Sequence, residues 1–226
     1  MLRQRRKAAA APRPTEIVVA RHGETIWNSE RRMQGQKNSV LSDLGRAQAR
    51  ALGRRMRNEA FDVLYSSDLV RAYETAEAIR AETGREIIVD PRLRERAFGI
   101  FEGLTGPEME AAYPGEYAKF RAKNPDYAVP GGESPRAFYD RTLACFVDLA
   151  TRHPGERVVI VAHGLLLDTL YRASRGLDLV TSRKLELINA SLNTFHHEAG
   201  NWRIVRWGAA THLEQVTVFS EGTTLP

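Results

Sequence analysis

The sequence contains a single cysteine, Cys145, in 226 residues. One cysteine excludes an intramolecular disulfide and any zinc site built from several cysteines, and it favours a reducing compartment. Chemistry that pairs a reactive cysteine with an arginine six positions later is also excluded, because Thr151 occupies that position. We therefore interpret Cys145 as a small core residue.

Long hydrophobic runs are absent as well. The longest core-like runs, residues 17–20 and 158–162, are far shorter than the ~18 apolar residues of a membrane-spanning helix. No apolar stretch near the start is long enough for a signal peptide. With 42% hydrophobic and 27% charged residues, the chain has the composition of a globular domain. We expect a cytoplasmic protein with no membrane partner.

The net charge of +5 is confined to one end of the chain. Residues 1–14 carry five Arg and Lys residues and no acidic residue, so residues 15–226 are neutral. We predict a disordered basic tail over 1–14, a folded domain over 15–213 and a C-terminal tail over 214–226. Since the neutral body lacks a basic stripe, we expect no nucleic-acid partner.

Two β-branched apolar runs, 17–20 and 158–162, have the pattern of parallel strands buried on both faces. Shorter strands are predicted at 63–65 and 87–89, and a hairpin over 191–207 turns at Ala199-Gly200. Helical periodicity follows three predicted N-caps, which are Ser42, Ser67 or Asp68, and Ser134. Strands that alternate with helices predict an α/β fold, a three-layer α/β/α sandwich with a mostly parallel sheet.

Residues 97–133, rich in Gly, Pro and aromatics, fit neither a strand nor a long helix. In open α/β sheets the functional site lies in a crevice beyond the carboxyl ends of the strands. We therefore predict a helical and loop insertion that covers this crevice. Its basic residues, Lys119, Arg121 and Lys123, either meet a second anionic group of a substrate or form a solvated face.

Polar residues follow the two long strands directly. Arg21 and His22 end the first, and His163 ends the second. Arg71 falls in the first turn of a predicted helix, where backbone N–H groups and the helix dipole favour an anion. Two arginines and two histidines that face one cavity suit a tetrahedral dianion, because arginine binds phosphate oxygens in a bidentate manner.

Ordered motifs extend from residue 16 to 213. They are Arg21-His22-Gly23-Glu24-Thr25 with Trp27 and Asn28, Gln34-Gly35, Leu41-Ser42, Ser66-Ser67-Asp68-Leu69 with Arg71-Ala72, Glu95 to Gly99, Phe101-Glu102-Gly103-Leu104, Gly131-Gly132-Glu133-Ser134 and Ala162-His163-Gly164. In this order the motifs resemble the histidine phosphatase superfamily, the phosphoglycerate mutase-like group.

The resemblance implies an enzyme of phosphoryl transfer in which His22 is the phosphorylated nucleophile. Arg21, Arg71 and His163 would surround the phosphoryl group, and Glu95 would be the proton donor and acceptor. It also implies substrate contacts by Thr25, Asn28, Gln34, Gly35, Arg21, Arg71 and Gly164. No metal or other cofactor is expected, because cationic and N–H donors can stabilise the transferring group. The ring nitrogen of His22 that attacks phosphorus must be unprotonated. We therefore expect the other ring nitrogen to carry the proton and to donate it to a backbone carbonyl.

Three functions remain open at this point. The segment after Glu95, Arg96-Ala97-Phe98-Gly99, is similar to the phosphatase branch, which favours a metal-independent phosphomonoesterase acting on small phosphorylated metabolites. The first alternative is a phosphoglycerate mutase that uses 2,3-bisphosphoglycerate as cofactor. The second is an inactive phosphate-binding interaction protein. The sequence does not fix the oligomeric state and allows a homodimer.

Overall fold

The computed structural model describes residues 13–182 and 185–216. Six strands form one sheet: β1 (Thr15–Arg21), β2 (Val63–Ser66), β3 (Ile87–Val89), β4 (Arg157–Ala162), β5 (Leu192–Glu198) and β6 (Asn201–Ala209). The α-helices are α1 (Ile26–Ser29), α2 (Asp43–Met56), α3 (Val70–Thr83), α4 (Gly106–Ala112), α5 (Pro114–Arg121), α6 (Pro135–Arg152) and α7 (Gly164–Arg175). The predicted tails fall mainly on residues 1–12 and 217–226, outside the described residues.

The strand order is β3-β2-β4-β1-β5-β6. The four strands from β3 to β1 run parallel, and the β5–β6 hairpin adds antiparallel to β1. This arrangement confirms the predicted mostly parallel sheet. In the β1–β4 register Arg21 lies opposite Ala162. The two residues that follow these strands, His22 and His163, therefore begin their loops side by side.

Helices cover both faces of the sheet, as the three-layer prediction requires. Side chains alternate along β1, so Ile17 and Val19 pack with α6 and α7, whereas Val18 and Ala20 pack with α2 and α3. Cys145 belongs to the first of these clusters and is only 2% exposed, which confirms its interpretation as a core residue. Burial raises the pKa of its thiol to about 11.

Two of the three predicted helix caps are confirmed. The Ser42 hydroxyl accepts the Gly45 N–H at the start of α2, and the Ser134 hydroxyl accepts the Ala137 N–H at the start of α6. The prediction of Ser67 or Asp68 as a cap is wrong, because Leu69 is the residue that precedes α3, and it makes no side-chain cap bond.

The predicted insertion over 97–133 contains α4, α5 and a short 3-10 helix at Gly99–Phe101. Its own small core is formed by Phe98, Phe101, Met109 and Val129. Phe98 also bridges to Gly132, so the two ends of the segment meet. Within the part of the chain that the structure describes, no helix is long and apolar enough to cross a membrane.

Candidate active site

The carboxyl ends of β1 and β4 open into a cavity of about 360 Å³. The rings of His22 and His163 lie beside each other there, with centroids 5.2 Å apart and planes inclined by 58°. His22 lines the cavity, whereas His163 is fully buried behind it. Parallel strands thus bring together two histidines that are 141 positions apart in the sequence.

The orientation of the His22 ring follows from one hydrogen bond. Its Nδ1 lies 2.7 Å from the carbonyl oxygen of Gly23. A carbonyl can only accept, so Nδ1 carries the proton and Nε2 keeps its lone pair. Burial lowers the pKa of His22 well below 6.5, and the charges of Arg71 and Arg21 lower it further. The predicted tautomer is therefore the one that the geometry requires.

His163 is fixed by a different contact. Its Nε2 lies 2.9 Å from the Ser67 hydroxyl, and its Nδ1 is buried with no hydrogen-bond partner among the residues described. Burial lowers the pKa of His163 well below 6.5, with additional effects from Arg71 and His22. A neutral imidazole with one nitrogen that lacks a partner among the described residues thus lies beside the His22 ring.

Two of the arginines that line the cavity, Arg21 and Arg71, are buried. Arg71 is 1% exposed and donates to the carbonyl oxygens of Lys37 at 3.0 Å and Gly35 at 2.7 Å. Arg21 donates to the carbonyl oxygen of Leu187. The Nε atoms of both arginines are buried without a partner in the described part of the chain.

Burial lowers the pKa of Arg21 and of Arg71 to about 10, so both remain charged at neutral pH. Their contacts in the described residues are to neutral carbonyls rather than to carboxylates. Two guanidinium groups held in this way leave their positive charge available to an anion.

Glu95 lies in the loop after β3 and lines the same cavity as His22. Its Oε1 accepts the Arg96 N–H at 2.8 Å, and its Oε2 accepts the Leu165 N–H at 3.2 Å. Burial raises the pKa of Glu95, against the opposing effect of these two bonds and of Arg71 and Arg21. A carboxyl group with a raised pKa beside an anion site is suited both to donate and to accept a proton.

The backbone of Glu95 is held in place from two sides. Arg141 Nη2 and Gln36 Nε2 each donate to its carbonyl oxygen at 3.1 Å. Arg141 is itself anchored by an ion pair of 2.5 Å with Glu133. The loop that carries the carboxyl group is therefore tied to α6 and to the loop that precedes α2.

The residues predicted to contact substrate fall into two groups. Asn28, Gln34, Gly35 and Gly164 line the cavity. Thr25 is fully buried as the N-cap of α1, where its hydroxyl accepts the N–H of Asn28 and lies 2.9 Å from Gln34 Oε1. In this structure Thr25 therefore positions two cavity residues, and its substrate contact remains a prediction.

Sequence reasoning missed several residues of the site. Ser67, which orients His163, was assigned to a helix cap, and Arg96 and Leu187 were not singled out as site residues. Much of the wall is also apolar, through Trp27, Met33, Phe98, Met109, Tyr117, Phe120, Leu165 and Leu187. The Gly- and aromatic-rich composition of 97–133 was the available signal for this wall.

The three basic residues of the insertion differ in their surroundings. Lys119 forms an exposed ion pair of 2.8 Å with Glu116. Arg121 lines the cavity, and Lys123 lines an adjoining outer pocket of about 300 Å³. No group of three or more metal-ligating His, Cys, Asp or Glu side chains occurs among residues 13–182 and 185–216.

Residues 17–210 match the family model of the histidine phosphatase superfamily (branch 1). The chain therefore belongs to the histidine phosphatase superfamily and is an enzyme of phosphoryl transfer.

Three comparisons place it within that family. It is 40% identical over 212 residues to phosphoglycerate mutase-like protein 4 of Arabidopsis thaliana, covering 92% of this chain and 90% of that protein. It is 39% identical over 213 residues to the metal-independent phosphoserine phosphatase of the same plant, covering 92% and 87%. The structure of a mycobacterial glucosyl-3-phosphoglycerate phosphatase is similar with a TM-score of 0.76 and 34% identity, covering 87% of this chain and all of that one.

Proposed function

We propose that the protein is a metal-independent phosphomonoesterase that hydrolyses small phosphorylated metabolites through a phosphohistidine on His22. The observation that carries this proposal is the bond from His22 Nδ1 to the Gly23 carbonyl. It leaves Nε2 as an unprotonated nucleophile in a cavity that Arg21 and Arg71 also line.

The phosphoryl group of the substrate would bind between these two arginines. The buried Nε of each arginine and the buried Nδ1 of His163 have no other partner within the described residues, so phosphoryl oxygens would satisfy them. The N-terminus of α7, which begins at Gly164 on the cavity wall, adds backbone N–H groups and a favourable dipole. Together these groups stabilise the charge of the equatorial oxygens.

In the first step His22 Nε2 attacks phosphorus, and the bond from phosphorus to the ester oxygen breaks. The leaving oxygen takes the proton of Glu95, so that an alcohol rather than an alkoxide departs. The raised pKa of Glu95 increases the fraction of enzyme that holds this proton. The products of this step are the free alcohol, a Glu95 carboxylate and phosphorylated His22.

In the second step water attacks phosphorus, and the bond from phosphorus to Nε2 breaks. Glu95 accepts the proton of the attacking water, which restores its protonated form. Inorganic phosphate then leaves, and His22 returns to its neutral tautomer. The cycle consumes one water and one phosphomonoester and needs no metal ion.

The relatives support hydrolysis without fixing the substrate. One is named a metal-independent phosphoserine phosphatase, and another is a glucosyl-3-phosphoglycerate phosphatase. A third carries a mutase-like name, which favours the alternative of a phosphoglycerate mutase that depends on 2,3-bisphosphoglycerate. A mutase would return the phosphoryl group of His22 to the alcohol product instead of to water.

The experiment is a phosphate-release assay on a panel of phosphomonoesters in excess chelator. The panel includes 3-phosphoglycerate with and without 2,3-bisphosphoglycerate. His22→Ala should abolish release, and His196→Ala, at the other end of the sheet, is the matched control. Release that survives chelation and needs no bisphosphorylated cofactor supports the proposal.

Two other outcomes would contradict the proposal. Isomerisation of 3-phosphoglycerate with little free phosphate would identify a mutase. If the folded protein releases no phosphate from any substrate of the panel but still binds inorganic phosphate, the alternative of a non-enzymatic phosphate-binding protein is favoured.

A further inference from the structure

The carboxylate of Glu102, in the motif over residues 101–104, connects two loops of the active site. Its Oε1 accepts two backbone N–H groups, from Gln36 at 3.0 Å and from Phe98 at 2.8 Å. These two residues lie in the 34–37 loop and the 95–98 loop, and both loops contribute residues to the cavity wall. Glu102 itself does not line the cavity, so any effect on catalysis must pass through these loops.

The 34–37 loop holds Arg71. Gly35 and Lys37, on either side of Gln36, each place a carbonyl oxygen on the Arg71 guanidinium, at 2.7 Å and 3.0 Å. An added Cβ on Gly35 would lie 2.0 Å from Glu102 Oε1, so the loop approaches Glu102 this closely only because Gly35 has no side chain. The position of Glu102 Oε1 therefore determines where this loop, and with it the Arg71 guanidinium, is held.

The 95–98 loop carries Glu95. Phe98, whose N–H donates to Glu102, follows Glu95 by three positions. Gln36 reaches the same loop with its side chain, because its Nε2 donates to the Glu95 carbonyl oxygen at 3.1 Å. Loss of the Glu102 oxygen would thus leave both the Phe98 N–H and the Gln36 N–H without their partner.

Two properties of Glu102 have to be separated, its negative charge and the place of its acceptor oxygen. Burial lowers the pKa of Arg71, and the charges of Glu95 and Glu102 oppose that effect. Both N–H groups nevertheless meet one and the same carboxylate oxygen. A glutamine has one amide oxygen with two lone pairs, so it can accept both bonds without the charge.

We propose that Glu102 is a positioning residue for phosphoryl transfer, whose Oε1 fixes the 95–98 loop against the 34–37 loop and so sets Glu95 relative to the phosphoryl site at Arg71. This inference rests on the proposed function, because it deepens the roles given there to Glu95 and Arg71. A misplacement of about 1 Å can cost about 10²-fold in rate, so a link outside the cavity can matter to catalysis.

The first test measures phosphoenzyme formation by rapid quench with two esters. One is the alkyl ester that wild type hydrolyses fastest, which needs a proton on its leaving oxygen, and the other is 4-nitrophenyl phosphate, which does not. Glu102→Ala should slow the alkyl reaction by about 10–100-fold more than the aryl reaction, because it displaces the proton donor. Glu102→Gln should keep the wild-type ratio of the two rates.

The same substitution in the Glu95→Gln background shows whether the effect passes through Glu95. With the proton donor already absent, Glu102→Ala should no longer change the ratio of alkyl to aryl rates. A residue that only stabilises the fold would slow both esters alike. An equal loss for both esters, or an alkyl-specific loss that persists in the Glu95→Gln background, would overturn the inference.

Calorimetric titration with inorganic phosphate tests the connection to Arg71 and needs no turnover. Glu102→Ala should weaken phosphate binding by about tenfold, as expected when a hydrogen bond to a charged group is impaired. Glu102→Gln should bind phosphate at least as tightly as wild type, since it loses only a negative charge. Val129→Ala is the matched control, because Val129 lies in the core of the same insertion and on the wall of neither pocket. It should lower the unfolding midpoint and leave phosphate affinity and the ester ratio unchanged.

Glu102→Asp replaces the alanine variant if the latter does not fold. Aspartate keeps the charge and withdraws the acceptor oxygen by one methylene, so it should show the alkyl-specific loss that glutamine does not show. The opposite order, with aspartate like wild type and glutamine impaired, would assign the effect to the charge and overturn the inference.

Phosphate binding also separates this inference from the proposed function. Weakened binding in Glu102→Ala, in a protein whose wild type releases no phosphate from any ester, would contradict the proposed function and leave the link from Glu102 to Arg71 standing. Phosphate release by wild type, with phosphate affinity and ester ratio unchanged in Glu102→Ala, would do the reverse.

Discussion

Replacement of Glu95 by glutamine removes the proposed proton donor and keeps the shape of the side chain. Both carboxyl oxygens accept a backbone N–H, from Arg96 and from Leu165. A glutamine has only one acceptor oxygen, so one of these N–H groups loses its partner, at a cost of about 1–3 kcal/mol in folding free energy. The variant should therefore fold with a reduced unfolding midpoint.

The catalytic loss should be larger than this and should depend on the leaving group. A positioned acid contributes about 10²–10⁴-fold, which corresponds to about 2.7–5.4 kcal/mol of the activation barrier. We expect Glu95→Gln to lower kcat by that factor for an alkyl phosphomonoester. With 4-nitrophenyl phosphate the leaving group needs no proton, so His22 should still be phosphorylated and only the hydrolysis step should slow.

Rapid-mixing measurements distinguish the two steps. Glu95→Gln with 4-nitrophenyl phosphate should give a burst of nitrophenol equal to the enzyme concentration, followed by slow turnover. Glu74→Gln, on the exposed surface of α3, is the matched control and should behave as wild type. An equal loss for alkyl and aryl esters with no burst would refute the assignment of Glu95 as both proton donor and acceptor.

Two further predictions concern stability. Burial lowers the pKa of His22 and His163 well below 6.5. Below pH 6.5 the unfolded chain therefore binds more protons than the folded chain. The free energy of unfolding should fall as the pH drops below 6.5, by up to about 1.4 kcal/mol per pH unit for each histidine. Urea unfolding in phosphate-free buffer should show this slope, and a slope that His163→Gln leaves unchanged would contradict it. Gly35 has φ +54°, and an added Cβ would lie 2.0 Å from Glu102 Oε1. Gly35→Ala should therefore cost about 1–3 kcal/mol. Gly84→Ala, at φ +68° with open space around it, should cost less, and equal losses would argue against the contact with Glu102.

The sequence predicted which end of the sheet carries the candidate site, because hydrophobic runs mark parallel strands and the carboxyl ends of such strands lie side by side. His22 and His163 each follow a buried run, so their meeting required only the parallel pairing of β1 and β4. Arg71 was placed correctly in the first turn of α3 although the predicted cap was wrong. The local sequence pattern was enough to place a site residue wherever a single strand or helix positions that residue.

Contacts between distant segments were not predictable in the same way. The Ser67 hydroxyl binds His163 and accepts the N–H of Leu69, which precedes α3, rather than an N–H inside the helix, and the Asp68 carboxylate pairs with Arg94. His163 and Arg94 come from other parts of the chain, and a preference for serine at helix caps does not reveal them. Among the described residues the Arg96 guanidinium has no ion pair, whereas Arg92 pairs with Asp90 and Arg94 pairs with Asp68. This difference depends on the folded surroundings and is not visible in the sequence pattern.

The phosphoenzyme itself tests the central claim most directly. Wild-type protein mixed with a phosphomonoester and quenched in alkali, where phosphohistidine is stable, should carry one phosphoryl group on the peptide that contains His22. Its release on mild acid treatment and its absence from the His22→Ala variant would complete the identification. Turnover with no phosphoryl group on His22, or a phosphoryl group found on His163 instead, would contradict the account.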